Sequence, residues 1–362
     1  MQTRPMWVWA VILLASTVPA AAAGMVDRFD AGPLDDKLWN DCQVDKALLS
    51  FGSEKGRAFL VNRIDRVRED VDMCPAALVA ERETDAPLGP SLIASFGRVV
   101  LAEAPAEKCP QPERRSGAII VQRNELRFRK REHSHALEAP HWYSIAFKVE
   151  GDGGDTIPVC GSVRWVIAQW KYKDIPPGID DSPFLAARFD NGVLHITVQD
   201  GFCRCMIAKT EGDPDRVSPP FAAASAMGGL HPVRPLVCKR SMTGPDEGKP
   251  CEPAHLRLFS SSPIGIPLLP DPRTDWVRLT YHLRVGGAAG ALIDIYANGR
   301  FIVRAEGRID DGVPSPNTVK FKFGHYRDKI PIKAKMSVDE ICMSETAAAC
   351  DPTVRKPESG NR

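Results

Sequence analysis

Three short stretches of the chain place polar, mostly cationic side chains at every second position. In "VQRNELRFRK", Arg123, Glu125, Arg127 and Arg129 alternate with Asn124, Leu126 and Phe128. In "VIAQWKYKD", Gln169, Lys171 and Lys173 alternate with Trp170 and Tyr172. In "VKFKFGHYRD", Lys320, Lys322 and Tyr326 share one parity, and Phe321 and Phe323 the other. A strand turns successive side chains to opposite faces, so each stretch separates a packed side from a charged one. Stacked in one sheet, the three charged sides form a cationic groove that also holds an amide, a carboxylate and a phenol. Such a groove neutralises a polyanion. A phenol among cations is biased toward its phenolate, which can move protons.

The elements that must position these rows are strands. From about residue 117 onward alternating segments recur, among them "HWYSIAFKV", "FLAARFDNGVLHITVQD", "WVRLTYHLRV", "ALIDIYANGRFIVRAEG" and "AKMSVDEICM". Two of them carry Asn-Gly, at Asn191-Gly192 and Asn298-Gly299, between β-rich runs, which is the strongest short-range hairpin signal. No comparably long amphipathic helix competes, so the pattern predicts an all-β sandwich or jelly roll. Two regions interrupt it: 42–115, with Cys74 and Cys109, and 203–272, crowded with Pro, Gly, Ser and four cysteines. Both read as disulfide-braced loop insertions in one domain spanning 24–350. A short helix is expected within "RAFLVNRIDRVRED". The polar tail 351–362 is expected to be disordered, and Trp165, Trp170 and Trp276 are assigned to the core.

The chain opens "MQTRPMWVWAVILLASTVPAAAAG", with Arg4 ahead of an apolar run and small residues ending near Ala23. Residues 1–23 thus have the form of a secretory signal peptide. Their apolar run falls short of the roughly 20 residues a membrane-spanning helix needs. A secreted or periplasmic protein is expected, monomeric and with no membrane partner. The formal net charge of +1 gives no general affinity for nucleic acid. All ten cysteines follow the leader, and an even count in an exported chain favours disulfides. Cys203-Arg-Cys205 lacks the two-residue gap of zinc knuckles, so no metal is expected there.

Arg123-Asn-Glu125-Leu126, Gln169-Trp-Lys171 and Lys322-Phe-Gly-His-Tyr326 stand in the order of three strand motifs. In this the chain resembles the jelly-roll polysaccharide lyases of the alginate lyase and heparin lyase I type, whose patterns are roughly R-x-E-L, Q-x-H and K-x-G-x-Y. The framing segments "VDRFDAG", "HWYSIAF", "GALIDIYANGRFI" and "MSVDEICM" are similar too. The likeness covers most of residues 117–345 plus the first strand. It implies a concanavalin-like β-jelly roll sandwich and β-elimination on a uronate-containing acidic polysaccharide, with no cofactor required. It further implies that Arg123 and Gln169 hold the uronate carboxylate and that Tyr326 acts as acid and as a candidate base. Glu125 would orient Arg123, while Arg127, Lys173, Lys320 and Lys322 would bind the polymer.

The departure from the family pattern is Lys171, where histidine is usual. A lysine serves as base if burial or a cationic neighbour such as Lys173 depresses its pKa, and otherwise as a carboxylate binder. Alternation turns His325 away from Tyr326, leaving His133, His135 and His195 as stand-ins. A non-catalytic carbohydrate-binding protein on the same fold is the first rival. A glycoside hydrolase is the second; it needs two carboxylates about 5 to 9 Å apart, and no such pair stands out. Asp27 and Asp30 in "DRFD", with Asp339 and Glu340 in "VDE", could supply oxygen ligands to a structural calcium if the first and last strands pair.

Overall fold

The structure, a computed structural model, describes chiefly residues 121–128, 138–152, 165–172, 183–212, 256–260, 266–307 and 318–354, with short gaps, together with isolated strand segments elsewhere. Among the described residues two antiparallel sheets carry nearly all of the secondary structure. The larger contains β1 (Met25–Asp27), β3 (Leu49–Glu54), β4 (Arg57–Ile64), β8 (His141–Gly151), β13 (His231–Val233), β15 (Leu256–Ser260), β16 (Val277–Arg284), β17 (Ala291–Ala297), β18 (Arg300–Gly307) and β20 (Ala334–Ser344). The smaller contains β2 (Trp39–Asn40), β7 (Val121–Phe128), β9 (Trp165–Tyr172), β10 (Leu185–Asp190), β11 (Val193–Asp200), β12 (Cys203–Lys209), β14 (Lys239–Arg240) and β19 (Val319–Asp328). A separate pair, β5 (Arg114–Arg115) and β6 (Ala118–Ile119), stands apart from both. The chain is thus an all-β jelly-roll sandwich.

The two sheets meet through the packed sides of the alternating stretches. Trp170 of β9, fully buried, packs at a tilt against Tyr281 of β16 with centroids 4.5 Å apart and meets Tyr143 of β8 edge-on at 5.6 Å. Phe321 of β19 lies 4.8 Å from Trp170 and 5.3 Å from Tyr143. Rings offset or tilted at these separations add attraction beyond their buried area. Trp165 is also buried, whereas Trp276 is only half-buried and packs edge-on against Phe59. The Asn298-Gly299 turn joins β17 to β18 with both residues at positive φ, 48° and 77°, as a two-residue hairpin of this kind requires. Asp190 pairs with Val193 where β10 turns back into β11, and Gly192 there has φ 73°.

Three local expectations are corrected. "RAFLVNRI" is strand β4 and not the start of a helix, since the edge of β20 offers it a ladder from Leu60 to Ile64. The sheets also claim parts of both supposed insertions: the β3–β4 hairpin joins the larger sheet, and β12 lies inside the smaller one, between β11 and β14. Residues 351–354, expected to be disordered, are packed. Asp351 is buried and accepts the Thr280 hydroxyl at 2.8 Å. A Cβ on Gly299 would come 2.8 Å from the Thr353 carbonyl oxygen, so the tail passes directly over that turn. The helical turn Ala347–Cys350 is tied to β20 by the Cys342–Cys350 disulfide. Cys205 is disulfide-bonded as well.

β1 pairs with β20, placing Asp27 opposite Ile341. Asp30 lies outside the described residues. Glu340 is ion-paired with Arg278 and hydrogen-bonded to it. No group of three or more His, Cys, Asp or Glu among the described residues is placed to hold a metal ion. No helix among them is long and apolar enough to cross a membrane.

Candidate active site

The three motif strands are neighbours, in the order β9–β19–β7. Their registers set the charged sides into rows. Arg127, Lys322 and Gln169 occupy one level across the three strands, Tyr326 stands opposite Arg123, and Lys320 stands opposite Lys171. Arg127, Lys322, Gln169 and Lys171 are all buried, and Glu125 is fully so.

A glycine organises the centre. Glu125 pairs with Gly324, and the register between β19 and β9 shifts between Phe323 and Tyr326. Gly324 has φ +128°, a conformation that L side chains rarely adopt, and its missing side chain leaves room above β19. Over that position the Gln169 amide donates to Glu125 Oε1 at 2.5 Å, spanning two strands. The amide is thereby drawn toward the Tyr326 end of its strand. Glu125 was expected to orient Arg123, whose side chain lies outside the described residues; a partner described for Glu125 is Gln169.

The same register separates Lys171 from Tyr326. Six positions of extended chain lie between Lys320 and Tyr326, one of them absorbed by the bulge, which amounts to roughly 17 Å along the strand. Arg123, Gln169, Glu125 and Tyr326 are therefore gathered about Gly324, while Lys171 and Lys320 mark the far end of the groove. Arg123 is placed by its backbone pairing; its side chain, like Lys173, Arg129, His133 and His135, lies outside the described residues.

His325 faces away from the groove, as alternation requires. It is fully buried, and its Nδ1 accepts the Trp165 indole N–H at 3.1 Å. Since an indole nitrogen can only donate, Nδ1 carries no proton and the imidazole is neutral with its hydrogen on Nε2. Arg327 lies over the same indole, 5.2 Å from the ring centroid, and donates to Gln122 Oε1 at 3.0 Å. This layer is a rigid backing for the strand that carries Tyr326.

Arg188, not singled out in the sequence, shares the groove face with His195, one of the three stand-in histidines. The β9–β10 register shifts between Ala187 and Arg188, so Val166 stands opposite both Tyr326 and Arg188, and Arg188 stands opposite His195. Alternation in "LAARFD" was the available signal for Arg188. A single arginine between apolar residues does not announce itself without the bulge that sets its level.

No family model and no curated protein matches the chain. Among solved structures it is similar to an endo-β-1,4-glucuronan lyase from the fungus Trichoderma reesei, with 14% identity, 66% of this chain and 81% of that one covered, and a TM-score of 0.36. It is similar to an alginate lyase from Klebsiella pneumoniae at 12% identity, covering 63% and 75%, with a TM-score of 0.33. A botulinum neurotoxin binding domain is similar at 10% identity, covering 66% and 42%, with a TM-score of 0.31.

Proposed function

We propose that the chain is an exported polysaccharide lyase that cleaves a uronate-containing polymer by β-elimination. The observation that carries this reading is the register of β7, β19 and β9, which gathers Arg123, Gln169 and Tyr326 about the bulge at Gly324. In the proposed reaction the C5–H bond breaks, C4 and C5 become doubly bonded, and the 4-linked oxygen departs with a proton. Arg123 and the Gln169 amide neutralise the ring carboxylate, which stabilises the carbanion-like transition state. Glu125 holds that amide in place. Tyr326 removes the C5 proton as phenolate and returns it to the leaving oxygen. Lys171, Lys173, Lys320, Lys322 and Arg127 hold neighbouring acidic units, and the scheme needs no cofactor.

Lys171 is thus a binder and not the base, because it lies well away from the phenol. The same separation supports the rival reading of a carbohydrate-binding protein without catalysis. The ultraviolet absorbance of the unsaturated product decides between them. Purified mature protein is incubated with glucuronan, alginate and heparin-type glycans. A rise that Tyr326→Phe abolishes establishes the lyase, and a flat trace with retained glycan binding overturns it.

A further inference from the structure

Tyr326 projects from a part of β19 where the ladder to β9 is broken. That ladder steps from the Phe323–Ala168 pair directly to the Tyr326–Val166 pair, while pairing with β7 runs without a slip from Lys322 to Asp328. A bulge bends its strand and re-aims a side chain, but it also disrupts the regular backbone hydrogen bonds that would fix the new direction. On the β9 side the direction of the phenol must therefore be set by something other than the ladder. Trp165 is placed to do so. It lies at the next level of β9, opposite Arg327, on the core side of the sheet. Its indole N–H donates to His325 Nδ1 at 3.1 Å, and the Arg327 guanidinium lies over its ring, 5.2 Å from the centroid. His325 and Arg327 are the residues on either side of Tyr326, and both are fully buried. One side chain of β9 thus holds the chain before and after the phenol. Arg327 Nε extends the hold to β7 through Gln122 Oε1 at 3.0 Å. Trp165 is anchored in turn: it is buried, and its ring packs at a tilt against Phe189 of β10, with centroids 5.3 Å apart.

We propose that Trp165 is a positioning residue for Tyr326: acting through His325 and Arg327 from the core side, it fixes the angle at which the phenol enters the groove. The catalytic consequence rests on the lyase reading, whereas the placement itself rests on the bulge and its contacts. Misplacing a reacting group by about 1 Å costs on the order of a hundredfold in rate, so a side chain that never meets the substrate governs turnover through the one that does.

The test reads the phenol directly as well as the reaction. Labelling the tyrosine rings with carbon-13 gives magnetic-resonance signals from five tyrosines, and Tyr326→Phe identifies the one that belongs to Tyr326. In Trp165→Phe, which keeps an aromatic ring and removes the donor, the Tyr326 signal should broaden or split while the other four keep their lines. With glucuronan and alginate the same variant should lose on the order of tenfold to a hundredfold in kcat per folded molecule, with KM within about twofold of the wild type. His325→Leu should behave alike, and His325→Asn, whose side-chain oxygen accepts the indole N–H, should recover most of the loss. The two His325 variants carry the comparison if Trp165→Phe fails to fold. An undisturbed Tyr326 signal, equal broadening of all five signals, a loss carried by KM, or no difference between His325→Asn and His325→Leu would each overturn the positioning role. A wild type that forms no unsaturated product on any glycan, with the Tyr326 signal still disturbed in the variants, would sink the lyase reading and leave Trp165 as the residue that aims the phenol.

Discussion

Both sheets carry a cross-strand row of polar residues, and the two rows are built on opposite principles. On the larger sheet Trp142, His282, Asp294 and Arg304 follow one another across β8, β16, β17 and β18. Each neighbour there satisfies the next. Trp142 stacks on His282 at 4.3 Å, His282 Nδ1 lies 3.4 Å from Asp294, and Arg304 grips the same carboxylate with two nitrogens at 2.6 and 3.0 Å. On the smaller sheet the row through Tyr326 sets arginine, phenol, valine, arginine, imidazole and lysine in sequence, and the level of Lys171 sets lysine opposite lysine. A row that closes on itself stabilises the fold. A row that gathers cations raises the local positive potential and so favours an acidic ligand.

The sharpest way to break this contrast is at Tyr326. Tyr326→Phe should lower the elimination rate about a thousandfold, the scale of a lost proton-transfer group, while its thermal midpoint stays that of the wild type. A fall in stability of comparable weight would place Tyr326 in the structural class instead. Asp294→Ala is the converse experiment. It should cost about 2 kcal/mol in denaturant unfolding, since it strands His282 and Arg304, and should leave activity per folded molecule intact.

The acid limb of stability sharpens the same point. Burial alone would raise the Asp294 carboxyl, but hydrogen bonds from His282 and Arg304 outweigh it and hold the group below its ordinary value. A carboxyl depressed on folding contributes stability that is fully present above its unfolded pKa, near 4, and is lost as pH falls through the folded value. Unfolding curves recorded from neutral pH downward should show that loss for the wild type and a flatter limb for Asp294→Asn. The smallest expected effect is at the far end of the groove. Lys320→Gln removes one of two lysines set directly opposite, and should weaken polymer binding severalfold in titrations while changing stability by no more than about 0.5 kcal/mol.

Alternation made much of this readable in advance. Leu126, Trp170, Tyr172, Phe321 and Phe323, read as the packed sides of their strands, lie in the core, because a period of two leaves one face for packing once the other is charged. The turning of His325 away from the groove was legible for the same reason. "RAFLVNRI" was not, since its mixed spacing suits either period and only the open edge of β20 decides for strand. The packing of 351–354 was hidden because it depends on Gly299 and Thr280, distant in sequence and adjacent in space.

The sequence by itself determined the all-β class, the two Asn-Gly hairpins and the composition of each polar row, since these follow from side-chain periodicity and local turn chemistry. Only the tertiary structure decided which residues of different rows stand level. Bulges at Gly324 and Ile167 slip the registers by one residue and so set Val166 level with both Tyr326 and Arg188, while the unbroken ladder from Lys320 to Phe323 keeps Lys171 at the far end of the groove and Gln169 level with Lys322. Register between strands depends on ladder hydrogen bonds between segments far apart in the chain, and no periodicity within a single strand encodes it.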